Sequence, residues 1–332
     1  TDIYPPDRVT LREVGLRDGL QLVETFPATP AKRQWIAREY AAGVRHFEVG
    51  SFLPAVRFPQ FADVRALIDD IAVLDGARSA ALALNERGAA DAFETPLDEI
   101  VCVVSATEEH SQANARRSRA EAVELIRTVA KMRDESDASP IINVGLSMAF
   151  GCSISGAVDP ARVLRLVEAC MEAGADIVGI ADTVGYAGPR QVGDLTAAVA
   201  KLCGGRAFIV HLHDTRGMGI ANASAALDAG ARVLDGSLGG LGGCPFAPGA
   251  TGNVVFEDLV YLCETKGFRT GIDVEKLMAV RDILRAEMPK EVLYHVSGRP
   301  GSAPTLRWCQ PDQSQHQQHR HPGLYQPSLG GH

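Results

Sequence analysis

Three phrases in this chain, AAGVRHFEVG (residues 41–50), EAGADIVGI (172–180) and DAGARVLDG (228–236), are built alike: a helical run stops at glycine and a short apolar run begins within three residues. Glycine ends helices because left-handed backbone costs it little. A chain that keeps repeating helix end, tight turn and strand start predicts parallel strands joined by crossover helices. Eight apolar runs read as strands: Val9–Val14, His46–Gly50, Ala80–Leu84, Ile100–Val104, Ile141–Leu146, Ile177–Ala181, Phe208–His213 and Val233–Ser237. Helical patterns fill the gaps at Pro30–Ala42, Phe61–Leu74, Arg116–Asp134, Pro160–Ala173, Pro189–Leu202, Ile220–Ala229 and Val254–Thr265, with a short one near Glu86–Phe93. Pro30 and Pro160 stand where first turns begin, with Thr29 and Asp159 as expected N-caps, and Gly43, Gly174 and Gly230 stop their helices. Eight such units in about 250 residues predict a (β/α)8 TIM barrel, whose active site is built at the carboxyl ends of the strands. An open doubly wound sheet would instead need GxGxxG after its first strand, which Gly15, Gly19 and their neighbours do not spell.

One more amphipathic helix is expected at Val274–Met288, covering an end of the barrel, so that residues 1–297 form the catalytic domain. Residues 298–332 are rich in Gln, His, Pro and Gly and lack periodicity, which predicts a disordered tail whose His316, His319 and His321 would bind metal only adventitiously. The composition suits a large core: 46% of the residues are hydrophobic and 22% charged. A net charge of −8 argues against a nucleic-acid or polybasic membrane role. No apolar run approaches the roughly 18 residues of a membrane span, and Thr1–Arg8 is too polar for a signal peptide, so a cytosolic protein is expected. Seven scattered cysteines without a CxxC pair fit free thiols in a reducing compartment.

The polar residues gather where strands end. His211 and His213 sit two apart at the end of the seventh strand, so both imidazoles project from one face toward a common cation. Asp18 follows the first strand and Asn253 the eighth, and these are neighbours once a barrel closes. A carboxylate, two imidazoles and an amide oxygen form a mixed nitrogen and oxygen set that suits Mg²⁺ or Mn²⁺, with Zn²⁺ or Co²⁺ as other occupants. Simpler roles compete: Asp18 as a turn residue before Gly19, and Asn253 as the N-cap of the next helix. Arg17, a permanent cation beside a proposed metal, is placed to meet negative charge developing on a substrate oxygen. Glu48 and Asp182 are acids in or ending apolar strands, which suggests catalysis or orientation of the histidines. Cys244 lies among Gly239, Gly240, Gly242 and Gly243 on a loop able to close over a substrate, where a thiol can act as acid or base.

Taken together, EVGLRDGLQ (13–21), FEVGSF (47–52), HLHDT (211–215) and GLGGCPFAPGATGNVVFEDLVYL (240–262) resemble 3-hydroxy-3-methylglutaryl-CoA (HMG-CoA) lyases, members of the metallolyase superfamily of TIM barrels. The resemblance runs from about Val9 to Gly271. It implies a divalent metal held by Asp18, His211, His213 and Asn253, Arg17 polarising a thioester carbonyl and Cys244 on the active-site loop. It also implies roles for Glu48 and Asp182 and supporting ones for Gln21, Thr183, Glu13, Glu257 and Asp258. The expected reaction is an oxo-acid-lyase cleavage of a 3-hydroxy-3-methylacyl-CoA to acetyl-CoA and a keto acid, as in leucine degradation, by a homodimer or higher homo-oligomer. Three departures surround the acyl pocket, not the metal: Leu22-Val23-Glu24 replaces the usual Asn-Glu and lysine, Gly179 replaces a serine, and Ser153-Ile154 follow Cys152 in place of proline and an aromatic. A related substrate such as citramalyl-CoA therefore stays open, as do a condensing acyltransferase and an inactivated barrel. No phosphate-cradling loop for CoA is recognisable.

Overall fold

The structure, a computed structural model, describes residues 3–243 and 252–294. Cys244 and the 298–332 tail lie outside the described residues. Eight strands, β1 (Thr10–Glu13), β2 (His46–Ser51), β3 (Arg78–Leu82), β4 (Glu99–Ser105), β5 (Ile141–Ser147), β6 (Ile177–Asp182), β7 (Ile209–Leu212) and β8 (Val233–Gly236), form a closed barrel in sequence order. Every neighbouring pair is parallel, and β8 returns to β1 with Thr10 opposite Val233 and Arg12 opposite Asp235. Helices α1 (Thr29–Ala42), α2 (Val64–Ala72), α3 (Glu86–Phe93), α4 (Glu108–Ala115), α5 (Arg119–Asp134), α6 (Pro160–Glu172), α7 (Pro189–Cys203), α8 (Gly219–Asp228), α9 (Phe256–Thr265) and α10 (Val274–Glu287) complete it. None of the described helices is long and apolar enough to cross a membrane.

Local chemistry explains most boundaries. Gly43 ends α1 at φ 108°, and Gly174 and Gly230 follow α6 and α8 at φ 107° and 101°, a region closed to most side chains. Asp159 caps α6 by accepting the Ala161 N–H, as expected, whereas Thr29 is already helical and gives its hydroxyl to Asp63. The helix expected at Arg116–Asp134 begins three residues later, at Arg119, and the unexpected short helix α4 precedes it. Arg116 adopts left-handed backbone at φ 51°, and α5 starts afresh behind a reciprocal Ser118–Glu121 capping box. The third strand begins two residues earlier than expected, at Arg78. Helix α10 packs against α1 and α9, and its fully buried Arg281 donates to the Tyr294 carbonyl.

The barrel interior is layered. Tyr4, Ile177, Ile209 and Val233 plug the end where β6, β7 and β8 begin. Above them lies a buried polar tier in which Arg12 pairs with Glu99 at 2.8 Å and Asp235 at 3.1 Å. Glu99 also accepts from the Tyr4 hydroxyl at 2.5 Å and from Asn143 Nδ2 at 2.8 Å. Charges this deep persist only when paired and hydrogen-bonded. The tier supports the residues at the carboxyl ends above it.

Candidate active site

Strand alternation places His211 and His213 on one face of the β7 end, their Nε2 atoms 3.1 Å apart. Asp18 arrives from the single π-turn Gly15–Gly19 after β1, whose N–H groups at Arg17, Asp18 and Gly19 all point to the Val14 carbonyl. Its Oδ2 lies 3.8 Å from His211 Nε2 and 3.5 Å from His213 Nε2. One ligand atom from each residue falls within 4.8 Å of the others. Atoms each about 2.0–2.2 Å from a shared cation stand roughly 3–4 Å apart, so the set fits one. Asp18 sits in a turn through its carbonyl, which accepts the Gln21 N–H, but its side chain is spent on Arg17 and Asn253 and faces the histidines.

Asn253 joins them through the returning chain. It bridges to His213 in antiparallel register, and Nδ2 donates to Asp18 Oδ2 at 2.8 Å and to the Leu241 carbonyl at 3.0 Å. Its Oδ1 is buried without a partner, a donor atom waiting for an acceptor of its lone pairs. The N-cap alternative does not hold, because α9 starts at Phe256 with Val255 as its N-cap. Gly252 is required here: a Cβ would sit 2.3 Å from the Gly240 carbonyl oxygen. A carboxylate, two imidazoles and an unpartnered amide oxygen fit a divalent cation.

Arg17 is clamped beside this cluster. Nε and NH2 make a fork to Glu48 at 2.7 and 2.9 Å, and NH1 reaches Asp18 Oδ1 at 2.5 Å and Gln21 Oε1 at 3.3 Å. Four of its five N–H groups are thus taken, leaving one on NH2 for a ligand. Burial pushes the Asp18 carboxyl up, but Arg17 and both histidines outweigh that and hold it far below the usual range. His211 moves the other way: burial lowers it, and the charge-assisted hydrogen bond from Nδ1 to Asp235 Oδ2 at 2.9 Å, with Asp18 nearby, raises it overall.

The remaining expected residues lie around this centre. Thr183 faces the cavity and accepts the Met148 N–H at 2.8 Å. Asp182 is fully buried, and its carboxylate accepts from the backbone of Tyr186 and Ala187, shaping the turn that carries Thr183. Glu13 Oε1 holds the N–H groups of Gly15 and Leu238, and Glu257 holds that of Gly239, so two buried acids anchor the turns after β1 and β8. A cavity of ≈ 180 Å³ opens over the cluster. Sequence reasoning missed Asp235, Arg12 and Glu99. The signal was there, an ionisable residue inside an apolar strand, and it was followed only for Glu48 and Asp182.

A closed (β/α)8 barrel with a clamped arginine and an Asp-His-His cluster that could hold a metal ion at its carboxyl end defines a barrel enzyme. The profile of the HMGL-like family matches residues 8–284, and the chain belongs to that family. The hydroxymethylglutaryl-CoA lyase YngG of Bacillus subtilis is 36% identical over 86% of this chain and 95% of its own length. The (R)-citramalyl-CoA lyase of Chloroflexus aurantiacus is 38% identical over 85% of this chain and 92% of its own. Among solved structures, an HMG-CoA lyase from Acinetobacter baumannii in complex with coenzyme A and 3-methylmalate superposes with a TM-score of 0.82 at 32% identity, covering 91% of this chain and 98% of that one. With its relatives, the chain is a carbon–carbon lyase.

Proposed function

We propose that the protein cleaves a C3-branched 3-hydroxyacyl-CoA, with HMG-CoA as the reference substrate, to acetyl-CoA and a ketone, acetoacetate in that case. The observation that carries the proposal is the convergence of Asp18 Oδ2, His211 Nε2 and His213 Nε2, with Arg17 alongside. Asp18, His211, His213 and Asn253 would hold Mg²⁺ or Mn²⁺, which when bound supplies Lewis acidity toward the oxygens of the substrate.

The protein's own groups move the proton and hold the charge. The carboxylate of Asp18 takes the proton of the tertiary hydroxyl, and Asp235 on Nδ1 keeps His211 Nε2 aimed at the site as a ligand. As that oxygen becomes a carbonyl, the C2–C3 bond breaks and its electron pair passes into the thioester enolate. The free N–H of Arg17 faces the developing oxyanion, and Glu48 fixes the guanidinium plane through its two-point contact. A proton from Cys244 then reaches the enolate carbon. The equation needs no co-reactant: the hydroxyl proton lost is balanced by the proton gained at C2. Thr183 and Gln21 position the acyl group, and Asp182 holds the turn that presents Thr183.

A second reading, cleavage of citramalyl-CoA to acetyl-CoA and pyruvate, is favoured by one observation: the citramalyl-CoA lyase relative is as similar to this chain as an HMG-CoA lyase is. A panel of 3-hydroxyacyl-CoA thioesters, assayed with Mg²⁺ or Mn²⁺ and with the ketone identified by mass, tests both. Turnover of HMG-CoA supports the first and of citramalyl-CoA the second. Release of free CoA from acetyl-CoA and a 2-oxo acid, with no ketone formed from any 3-hydroxyacyl-CoA in the panel, would replace both with a condensing enzyme.

A further inference from the structure

The cavity above the cluster has two unlike halves. Arg17, Asp18, Glu48, His211 and His213 line one side. Across from them β3 and β4 present Leu82 and Val101, which form an apolar cluster inside the barrel with Ala80, flanked by Leu84 and Val103. Apolar wall at an active site is left for an apolar group, because covering it is what burial rewards.

Between the halves, β5 and β6 carry glycine at directly paired positions, Gly145 and Gly179, both lining the cavity. Neither has a positive φ, so backbone conformation does not demand glycine. Nor does crowding: a Cβ at Gly145 would meet only the Cys102 carbonyl oxygen, at 3.8 Å, and one at Gly179 would meet nothing closer than Ile209 Cβ at 3.4 Å. The missing side chains leave room beside the apolar wall.

The same region offers a carboxylate no free cation, only neutral groups such as the unpartnered Ser147 hydroxyl. The two arginines lining the cavity are each neutralised by two acids, Arg12 by Glu99 and Asp235, and Arg17 by Glu48 and Asp18. Among the described residues no other lysine or arginine lines it. At its floor Asn143, 3% exposed, spends Nδ2 on Glu99 and leaves Oδ1 without a partner, so a carboxylate there would face an acceptor. A buried anion without a counter-charge is disfavoured.

Resting on the acyl-CoA lyase reading, we propose that this side of the cavity takes an apolar branch longer than methyl on C3 of the substrate, and that Gly145 and Gly179 set its length. The preferred substrates are then 3-hydroxyacyl-CoA thioesters with an alkyl branch, and the products are acetyl-CoA and a ketone carrying that branch.

The test compares 3-hydroxy-3-methylheptanoyl-CoA, which would yield acetyl-CoA and hexan-2-one, with HMG-CoA and citramalyl-CoA, using the full chain with Mg²⁺. The expected result is a kcat/KM for the alkyl thioester at least equal to that for HMG-CoA. Gly145→Ala and Gly179→Ala should each lower the ratio of the two kcat/KM values about tenfold, the scale on which a pocket senses one added carbon. Thermal melting of each variant establishes that it folds, and either one alone decides the role of its glycine. HMG-CoA or citramalyl-CoA turned over with the alkyl thioester at least tenfold worse overturns the inference and leaves the lyase reading standing. An unchanged ratio in a folded variant removes that glycine from the proposal. No cleavage of any of the three defeats the lyase reading, and the inference falls with it.

Discussion

Arg17 shows how much a single side chain is asked to do: it braces Asp18, forks onto Glu48 and still keeps one N–H unspent. Arg17→Gln is expected to lower kcat about a hundredfold or more, the usual worth of one oxyanion donor, with metal content unchanged by elemental analysis. Wild-type turnover in that variant would rule out the role. Asp235 acts one step further back, through His211 Nδ1. Asp235→Asn should weaken Mn²⁺ binding about 10–100-fold by calorimetric titration, as loss of such orienting partners does; an unchanged affinity would leave Asp235 serving Arg12 alone. At this scale the histidine pair was legible because alternation along a strand is a local rule. Asp235 looked like any acid in a short strand, because its partner Arg12 is 223 residues away.

Two elements are tied down by buried carboxylates. Glu257 opens α9, accepts the Gly239 N–H and lies 3.4 Å from Arg281 of α10, both side chains fully buried. Burial raises the Glu257 carboxyl, Arg281 and the Gly239 N–H offset part of this, and the outcome is about 7 against an ordinary 4.5. An acid whose folded-state pKa is raised binds its proton more tightly when folded. Its contribution is therefore full below about pH 4.5 and is lost as pH rises to about 7, by at most ~3 kcal/mol at 1.36 kcal/mol per pH unit. The stability difference between wild type and Glu257→Gln, from urea unfolding at a series of pH values, should shift across that window and stay flat above it. A difference independent of pH would mean that folding leaves the Glu257 carboxyl unshifted. Elements were the most legible level of this chain, because proline, glycine and 3.6-residue periodicity act within a few residues. Helix α4 and the break before α5 escaped, since Arg116 takes left-handed backbone although nothing in its identity calls for it.

For the whole molecule, the consequence of closure is that Asp18 and Asn253, 235 residues apart, share a hydrogen bond, and both meet the end of β7. A cation gripped by segments far apart in the sequence would bind the folded chain and not the unfolded one. Mn²⁺ at a hundred times its dissociation constant should add about 2.7 kcal/mol, seen as a rise of several degrees in melting temperature at about 2–4 °C per kcal/mol. Chelation should reverse the rise, and Asp18→Asn should abolish most of it. An equal rise in that variant would place the ion elsewhere. What the amino-acid order determined alone was the alternation of eight strands with helices and the kinds of ligand at the strand ends, since both depend on neighbours in the chain. Only the closed barrel decided which of those ligands meet, that Asp235 steers one of them, and that the cavity pairs a charged half with an apolar one. Those outcomes depend on β8 pairing with β1 and on the register of all eight strands, a sum of contacts between distant segments that no local propensity encodes.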